Sequence, residues 1–297
     1  MSALTGATGT SAHGLDDATR DALAELLLCM ADDEFVLGYW DSEWTGIAPL
    51  LEEDVAFSSL AQDEIGHAAA LYELLAGLTG EPADRIAYGR EVDGYRQAAL
   101  LDHARGDWAF SIARRFLYDT ADAVRLDALA GSSYAPLAGL VAKMRREERY
   151  HLAHMHAWMV RLACGGEEPA RRLAAACERL WPDALAVLAP PAGERRLLDA
   201  GILTESFATC RQRWLGELAP LFEELRLPFP FRPAPGASSS RARPAGAPAV
   251  ADAGQPGRLE PTFPEPGPEG RTRHNDDFRW LWGELTSVYR SEPGATW

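Results

Sequence analysis

Two stretches of this chain decide its fold: Gln62-Asp63-Glu64-Ile65-Gly66-His67 and Glu147-Glu148-Arg149-Tyr150-His151. In each, a Glu precedes a His by three residues. On an α-helix, residues three apart lie on one face, so the carboxylate and the imidazole can bind the same metal ion. One such motif is a weak signal, because short motifs often occur by chance. The weight of the pattern depends on its repetition and on the residues around it.

A further acid precedes each motif by about one helix hairpin. Glu34 lies thirty residues before Glu64, and Asp119 lies twenty-nine residues before Glu148. Because connections between paired helices are short, each acid can return to the level of its motif when two antiparallel helices pack together. The spacing therefore predicts a duplicated helix pair, and two such pairs form an all-α four-helix bundle.

The predicted ligands lie within apolar helix faces. Apolar residues recur at steps of three and four around Glu34 and around both motifs. They are Leu27, Met30 and Leu37 in the first helix, Phe57, Leu60, Leu71 and Leu74 in the second, and Val141, Met144, Met155, Trp158 and Leu162 in the fourth. The stripe of Asp119 is less apolar, since it includes Arg115 and Asp122. The pattern predicts that the ligands point into the core.

Carboxylates buried at one point require counter-charges, because an isolated ion in a low-dielectric interior is costly. Two divalent metal ions balance four carboxylates. Oxygen-rich ligation with one imidazole per metal favours iron, with manganese possible, over a structural zinc site. The predicted metal ligands are Glu34, Glu64, His67, Asp119, Glu148 and His151. No catalytic side chain is predicted beyond this metal centre.

An acid directly precedes each ligand Glu, namely Asp63 and Glu147. We expect each of them to accept the outer N–H of a ligand His from another helix and so to fix its tautomer. The alternative, solvated residues in register by chance, suits one motif but is disfavoured for two motifs with two matching acids. His154 and His156 have no acid at the required offset and are interpreted as surface or packing residues.

Helical periodicity extends over most of the chain. Helices are predicted near 17–43, 51–78, 106–130, 134–163, 168–188, 194–225 and 274–291. The predicted organisation is a disordered N-terminus (1–15), a ferritin-like helical domain (16–231), a Pro/Gly/Ala-rich linker (232–272) and a C-terminal docking helix (273–297). The docking site of that helix, on this chain's own bundle or on a partner's, stays open.

Charge and cysteine content disfavour several other classes of protein. The formal net charge of -15 speaks against nucleic acid and against a membrane surface as partners. We find no apolar run long enough for a membrane span and no signal peptide at the start, and so expect a cytoplasmic protein. The four cysteines are far apart in sequence and form no C-x-x-C pair, which predicts reduced, mostly buried thiols.

At these residues the sequence resembles the A and C subunits of bacterial phenylacetyl-CoA epoxidase, a multicomponent oxygenase of phenylacetate degradation. The resemblance includes both Glu-x-x-His stretches, the segments around Glu34 and Asp119, and Leu180-Trp181-Pro182. Ser42-Glu43-Trp44 and the run from Asp107 to Arg114 are similar to the C subunit. C subunits commonly lack a complete ligand set, whereas all six ligand positions are filled here.

The resemblance implies a di-iron centre that activates dioxygen and epoxidises the aromatic ring of an acyl-CoA substrate. It also implies that the partners are a paralogous oxygenase subunit and a separate reductase with flavin, an iron–sulfur cluster and NADPH. This chain has neither a dinucleotide fingerprint nor a set of cluster-binding cysteines. Two alternatives stay open: a structural partner subunit that does no chemistry, and a ferritin-like protein that oxidises iron.

Overall fold

The computed structural model describes residues 14–234, 258–265, 268–292 and 295. In this part of the chain the helices are α1 (Asp17–Ser42), α2 (Leu51–Thr79), α3 (Ala83–Tyr88), α4 (Trp108–Leu129), α5 (Ala135–Cys164), α6 (Glu167–Ala184), α7 (Glu194–Asp199), α8 (Phe207–Glu224) and α9 (Asp276–Ser291). Two short strands, β1 (Phe231–Pro233) and β2 (Leu259–Pro261), pair in antiparallel fashion, with Arg232 opposite Glu260.

Local sequence sets where the long helices begin and end. The Asp16 side chain accepts a hydrogen bond from the backbone N–H of Thr19 at 2.9 Å and so caps α1. Asp107 caps α4 in the same way by accepting from Phe110 at 2.9 Å. Helix α2 ends at Gly80, whose φ of 77° is left-handed and suits glycine. These signals set the ends of three of the four helices that carry the predicted ligands.

The predicted helix pairs form the core of the fold. Helix α1 packs along α2, α4 packs along α5, and α2 also meets α5, which closes the bundle. Helices α6 and α8 cover α4 from outside. The prediction of an all-α, ferritin-like four-helix bundle with additional C-terminal helices is therefore confirmed. The faces of the four long helices that carry the predicted ligands are buried in the bundle.

The prediction of one helix over 194–225 is wrong, because the chain breaks between α7 and α8. Gly201 adopts a left-handed φ of 68°, which ends the first segment. The Ser206 side chain then accepts from the backbone N–H of Thr209 at 3.2 Å and starts α8. The periodicity of apolar residues continues across the break, so the pattern alone did not reveal it.

The C-terminal helix docks on this chain's own bundle. Phe278, Leu281 and Leu285 of α9 are buried, and the indole N–H of Trp282 donates to the carbonyl of Arg90 at 3.0 Å. The predicted domain division itself stays a prediction: residues 1–13 and 235–257 lie outside the described part, and the rest of the predicted linker includes β2 and the buried Arg271.

The sequence led us to expect no membrane span and reduced, mostly buried thiols. No helix in the described part of the chain is both long and apolar enough to cross a lipid bilayer. All four cysteines are free thiols, with Cys29, Cys177 and Cys210 buried and Cys164 exposed.

Candidate metal centre

The six predicted ligand residues meet in the interior of the bundle. Helix α1 supplies Glu34, α2 supplies Glu64 and His67, α4 supplies Asp119, and α5 supplies Glu148 and His151. All are buried, and the largest exposed fraction among them is 3%, for Glu148. Polar side chains this deep in an apolar core need partners or a bound cation.

Four of these residues converge around one point, which we call the His67 half of the centre: Glu34, Glu64, His67 and Glu148. Their ligand atoms lie within 4.8 Å of one another. The Nδ1 atom of His67 lies 3.3 Å from Oε2 of Glu34, 3.3 Å from Oε2 of Glu64 and 3.6 Å from Oε1 of Glu148. Two atoms bound to one ion at about 2.1 Å each lie at most about 4.2 Å apart. A small contraction therefore suffices to hold one ion.

The outer nitrogen of each histidine meets an acid from the opposite helix. Nε2 of His67 lies 2.8 Å from Oε2 of Glu147 on α5, and Nε2 of His151 lies 3.2 Å from Oδ2 of Asp63 on α2. Each carboxylate can accept the Nε2–H, which turns Nδ1 of the same ring toward the cluster. The structure thus places Asp63 and Glu147 where the sequence predicts them.

The second group of ligands, which we call the His151 half, consists of Glu64, Asp119, Glu148 and His151. The Nδ1 atom of His151 lies 3.3 Å from Oε1 of Glu64 and 3.2 Å from Oε1 of Glu148. This half also contains the side chain of Arg115, one helical turn before Asp119 on α4. Its role was not predicted, although the sequence places Arg115 in the ligand stripe.

The Arg115 guanidinium spans the His151 half. Its Nη2 atom contacts Oε1 of Glu64 and lies 3.0 Å from Nδ1 of His151. Its Nε atom lies 3.3 Å from Oδ2 of Asp119, and Nη1 pairs with Asp41 of α1. Both Arg115 and Asp41 are fully buried. Asp41 was also missed, because a single acid on α1 carries no spacing signal toward α4.

Several carboxylate oxygens of the centre have no hydrogen-bond donor. They are Oε2 of Glu64, Oε2 of Glu148 and Oδ1 of Asp119, all buried. The first lies 3.3 Å from Nδ1 of His67 and the third 3.2 Å from Nε of Arg115, but neither has hydrogen-bond geometry. A buried, unpaired carboxylate oxygen is costly, and a metal ion is the partner that such oxygens commonly bind.

Charge coupling within the centre is strong. Burial, with Glu64 close by, raises the pKa of Glu34 well above its usual range. Burial opposes ionisation of Glu64 as well, but the Arg115 guanidinium together with the contacts to Glu34, His151 and His67 outweighs burial and holds the pKa of Glu64 well below its usual range. Burial lowers the pKa of His67, but the nearby carboxylates of Glu34 and Glu64 outweigh burial and raise the pKa to about 12. Such mutual shifts in a buried cluster are typical of functional sites.

His151 faces two opposing influences. Despite burial, which lowers it, the carboxylates of Glu148 and Glu64 raise the pKa of His151 to about 11. The Arg115 contact opposes protonation of Nδ1, because a guanidinium N–H requires an acceptor there. The lone pair of Nδ1 is engaged in either case, by a bound proton or by a hydrogen bond accepted from Arg115.

Beyond the ligands, Tyr118 and Arg125 support the His67 half. The Tyr118 hydroxyl donates to Oε1 of Glu34 at 2.8 Å and accepts from Nη2 of Arg125 at 3.0 Å. His154 lies apart and pairs with Glu53 at 2.8 Å, and His156 is exposed. Both histidines are therefore outside the centre, as their sequence context predicts.

Comparison with known proteins finds relatives of this chain among the subunits of an epoxidase. Residues 9–242 match the family model described as phenylacetic acid catabolic protein. The chain is 28% identical to the C subunit of 1,2-phenylacetyl-CoA epoxidase from Escherichia coli K12 over 209 residues, 70% of this chain and 84% of that protein. It is also 28% identical to the A subunit of the same enzyme over 221 residues, 73% of this chain and 71% of that protein.

Proposed function

This chain belongs to the phenylacetic acid catabolic protein family, and from that premise we propose that it is a subunit of a multicomponent oxygenase resembling phenylacetyl-CoA 1,2-epoxidase. The observation that carries the proposal is the meeting of four acids and two histidines from four helices at one buried point, with carboxylate oxygens that have no donor. Similarity to both the C and the A subunits of an epoxidase supports it.

The donor set suits iron. Glu34, Glu64, His67 and Glu148 converge as the His67 half and fit one ion, while the ligands of the His151 half share their space with Arg115. Hard carboxylate oxygens with an imidazole are the donors that iron and manganese accept. Bound iron would supply the capacity to reduce dioxygen, using electrons from a separate reductase.

The chain's own residues prepare the centre for a metal. Glu147 and Asp63 orient the imidazoles through their outer nitrogens, and Tyr118 fixes one oxygen of Glu34. The packed apolar residues around the ligands exclude water, which strengthens every electrostatic interaction inside. The substrate that follows from the family is an aromatic acyl-CoA thioester, bound by this chain together with a paralogous subunit in the cytoplasm.

A structural partner subunit is the main rival, because the relatives include both the C and the A subunits of one enzyme. The two roles differ in what the purified protein contains. An oxygen-activating subunit binds iron, and its reduced form is reoxidised by dioxygen. A scaffold subunit binds its paralogue tightly without metal. Iron storage would instead require a cage of many chains, which sedimentation would reveal.

The test is iron content. We expect protein purified under reducing, anaerobic conditions and supplied with Fe²⁺ to retain iron after desalting, and the Glu64→Ala, Glu148→Ala double variant to lose it, because these carboxylates serve both halves. The matched control is Glu53→Ala, His154→Ala, which removes an acid and a histidine from the same two helices outside the centre. Full iron in the first double variant would refute the proposed site.

A further inference from the structure

We infer that this centre holds one metal ion, in the His67 half, and that the Arg115 guanidinium replaces the second cation in the His151 half. The inference rests on the proposed function, since it concerns the same metal centre. It restricts the predicted pair of irons to a single ion, and it assigns Arg115 and Asp41 a role that the ligand motifs do not contain.

The Arg115 guanidinium lies between the residues that would bind a second ion. A second ion would need Asp119 together with Glu64 and His151, and Arg115 already joins these three residues. Nη2 contacts Oε1 of Glu64 and lies 3.0 Å from Nδ1 of His151, while Nε lies 3.3 Å from Oδ2 of Asp119. Arg115 therefore contacts three atoms that a second ion would bind: Oε1 of Glu64, Nδ1 of His151 and Oδ2 of Asp119.

Arg115 is held in place by an ion pair with a buried acid outside the predicted ligand set. Nη1 pairs with Asp41, which lies on α1 and is fully buried. A proton on a histidine leaves when a metal ion binds. A guanidinium, in contrast, stays charged when it is buried. Arg115 could move away only by breaking its ion pair with Asp41, which would leave a buried carboxylate without a counter-charge. Asp41 therefore keeps Arg115 inside the His151 half.

Charge also disfavours a second ion in the His151 half. Asp41, Glu64 and Asp119 surround the guanidinium, so its positive charge already offsets part of the negative charge of this half. A dication beside Arg115 would meet like-charge repulsion that no water screens. Oδ1 of Asp119 has no hydrogen-bond donor, but it lies 3.2 Å from Nε of Arg115. Oε2 of Glu64 also has no donor, and it lies in the His67 half, 3.3 Å from Nδ1 of His67. Glu64 thus presents one oxygen to Arg115 and the other to a metal ion.

One ion has a consequence for the role of this chain. A single iron gives up one electron between its ferrous and ferric states, whereas a pair gives up two. A one-ion centre therefore stores half of the reducing capacity of a di-iron centre. This favours the role of a metal-holding partner of a di-iron paralogue and distinguishes this chain from a metal-free scaffold.

The experiment is metal stoichiometry. Full-length protein is stripped with a chelator and titrated with Mn²⁺, with bound metal measured by elemental analysis and the ions observed by electron paramagnetic resonance. We expect one Mn²⁺ per chain and the spectrum of an isolated ion. Two ions per chain with an exchange-coupled spectrum would overturn the inference and leave the proposed function standing. No bound metal would overturn both.

A variant tests whether Arg115 causes the difference. Asp41→Asn with Arg115→Met removes the guanidinium together with its partner charge, and we expect a two-fold rise in stoichiometry, to two coupled ions. The control is Arg114→Met, since Arg114 is equally buried and lies near Asp41 but contacts no ligand residue. A stoichiometry of one in the double variant would show that Arg115 does not exclude the second ion. If the double variant fails to fold, the unaltered protein decides alone.

Discussion

Arg271 and Asp33 form a two-pronged ion pair that fastens the C-terminal segment to α1. Nη1 lies 2.9 Å from Oδ1 and Nη2 lies 3.0 Å from Oδ2, and both side chains are buried. The same guanidinium donates to the carbonyls of Ala186 at 3.0 Å and Val187 at 2.9 Å. One side chain thus joins three parts of the chain that are distant in sequence.

Arg271→Ala should lower the free energy of unfolding by about 3 kcal/mol, because it leaves a buried carboxylate and buried carbonyls with fewer partners. Asp33 keeps its contact with Arg125 at 2.7 Å, which limits the loss. Urea unfolding measures the change. The control is Arg290→Ala in the same segment, whose pair with Glu91 is exposed and should contribute less than about 1 kcal/mol. Equal losses in the two variants would contradict the anchoring role of Arg271.

Gly38 of α1 lies where α1 and α2 approach each other closely. A Cβ at this position would lie 3.0 Å from Cδ1 of Ile65 and 3.1 Å from the backbone oxygen of Ala61. Overpacking of this kind costs about 1–3 kcal/mol, against a helix-propensity gain of up to about 1 kcal/mol. We therefore expect Gly38→Ala to destabilise the fold.

Gly139 provides the opposite case. A Cβ there meets nothing within 4 Å, and Gly139 lies inside α5, so Gly139→Ala should stabilise the protein by about 0.5–1 kcal/mol. Thermal unfolding of the two variants should show shifts of opposite sign. Shifts of the same sign would mean that close packing at Gly38 does not limit the α1–α2 approach.

Much of the centre could be predicted because spacing alone reports it. Two residues separated by one helix hairpin lie at the same height along the paired helices, which predicts that Glu34 and Glu64 are close. The position of Glu147 next to Glu148 on its helix predicts that it faces a histidine of another helix, which is His67. The Arg115–Asp41 pair could not be predicted. Periodicity indicates which face a residue occupies, but not which distant acid its long side chain will reach. The pairing of β1 with β2 was missed because the Pro/Gly/Ala-rich composition of 232–272 predicted a linker there.

The Tyr118 hydroxyl links Glu34 to Arg125, and its removal should lower both stability and metal affinity. Burial raises the pKa of the Tyr118 hydroxyl well above its usual range, so it stays protonated and donates to Glu34 at 2.8 Å. Tyr118→Phe leaves a buried carboxylate oxygen without its donor and should cost about 1–3 kcal/mol of stability. We also expect metal affinity to fall by about 10–100-fold, as for other partners of metal ligands.

Isothermal titration with Mn²⁺ and urea unfolding measure these two effects of Tyr118→Phe. The control is Tyr134→Phe: Tyr134 is buried, but no hydrogen bond of its hydroxyl is found in the described part of the chain, so little change is expected. Unaltered metal affinity in Tyr118→Phe would separate Tyr118 from the centre.

The cysteines should differ sharply in reactivity. Burial raises the pKa of Cys29 and of Cys177 to about 12, and that of Cys210 likewise to about 12. A raised pKa means that these thiols stay protonated near pH 8, and the thiolate is the form that reacts with disulfide reagents. Cys164 is exposed at the end of α5. We expect Ellman's reagent to titrate one thiol quickly in the folded protein and the other three only after denaturation. Cys164→Ser should abolish the fast phase. Any thiol that still reacts quickly in that variant would show that the reagent reaches at least one buried cysteine by local opening of the bundle.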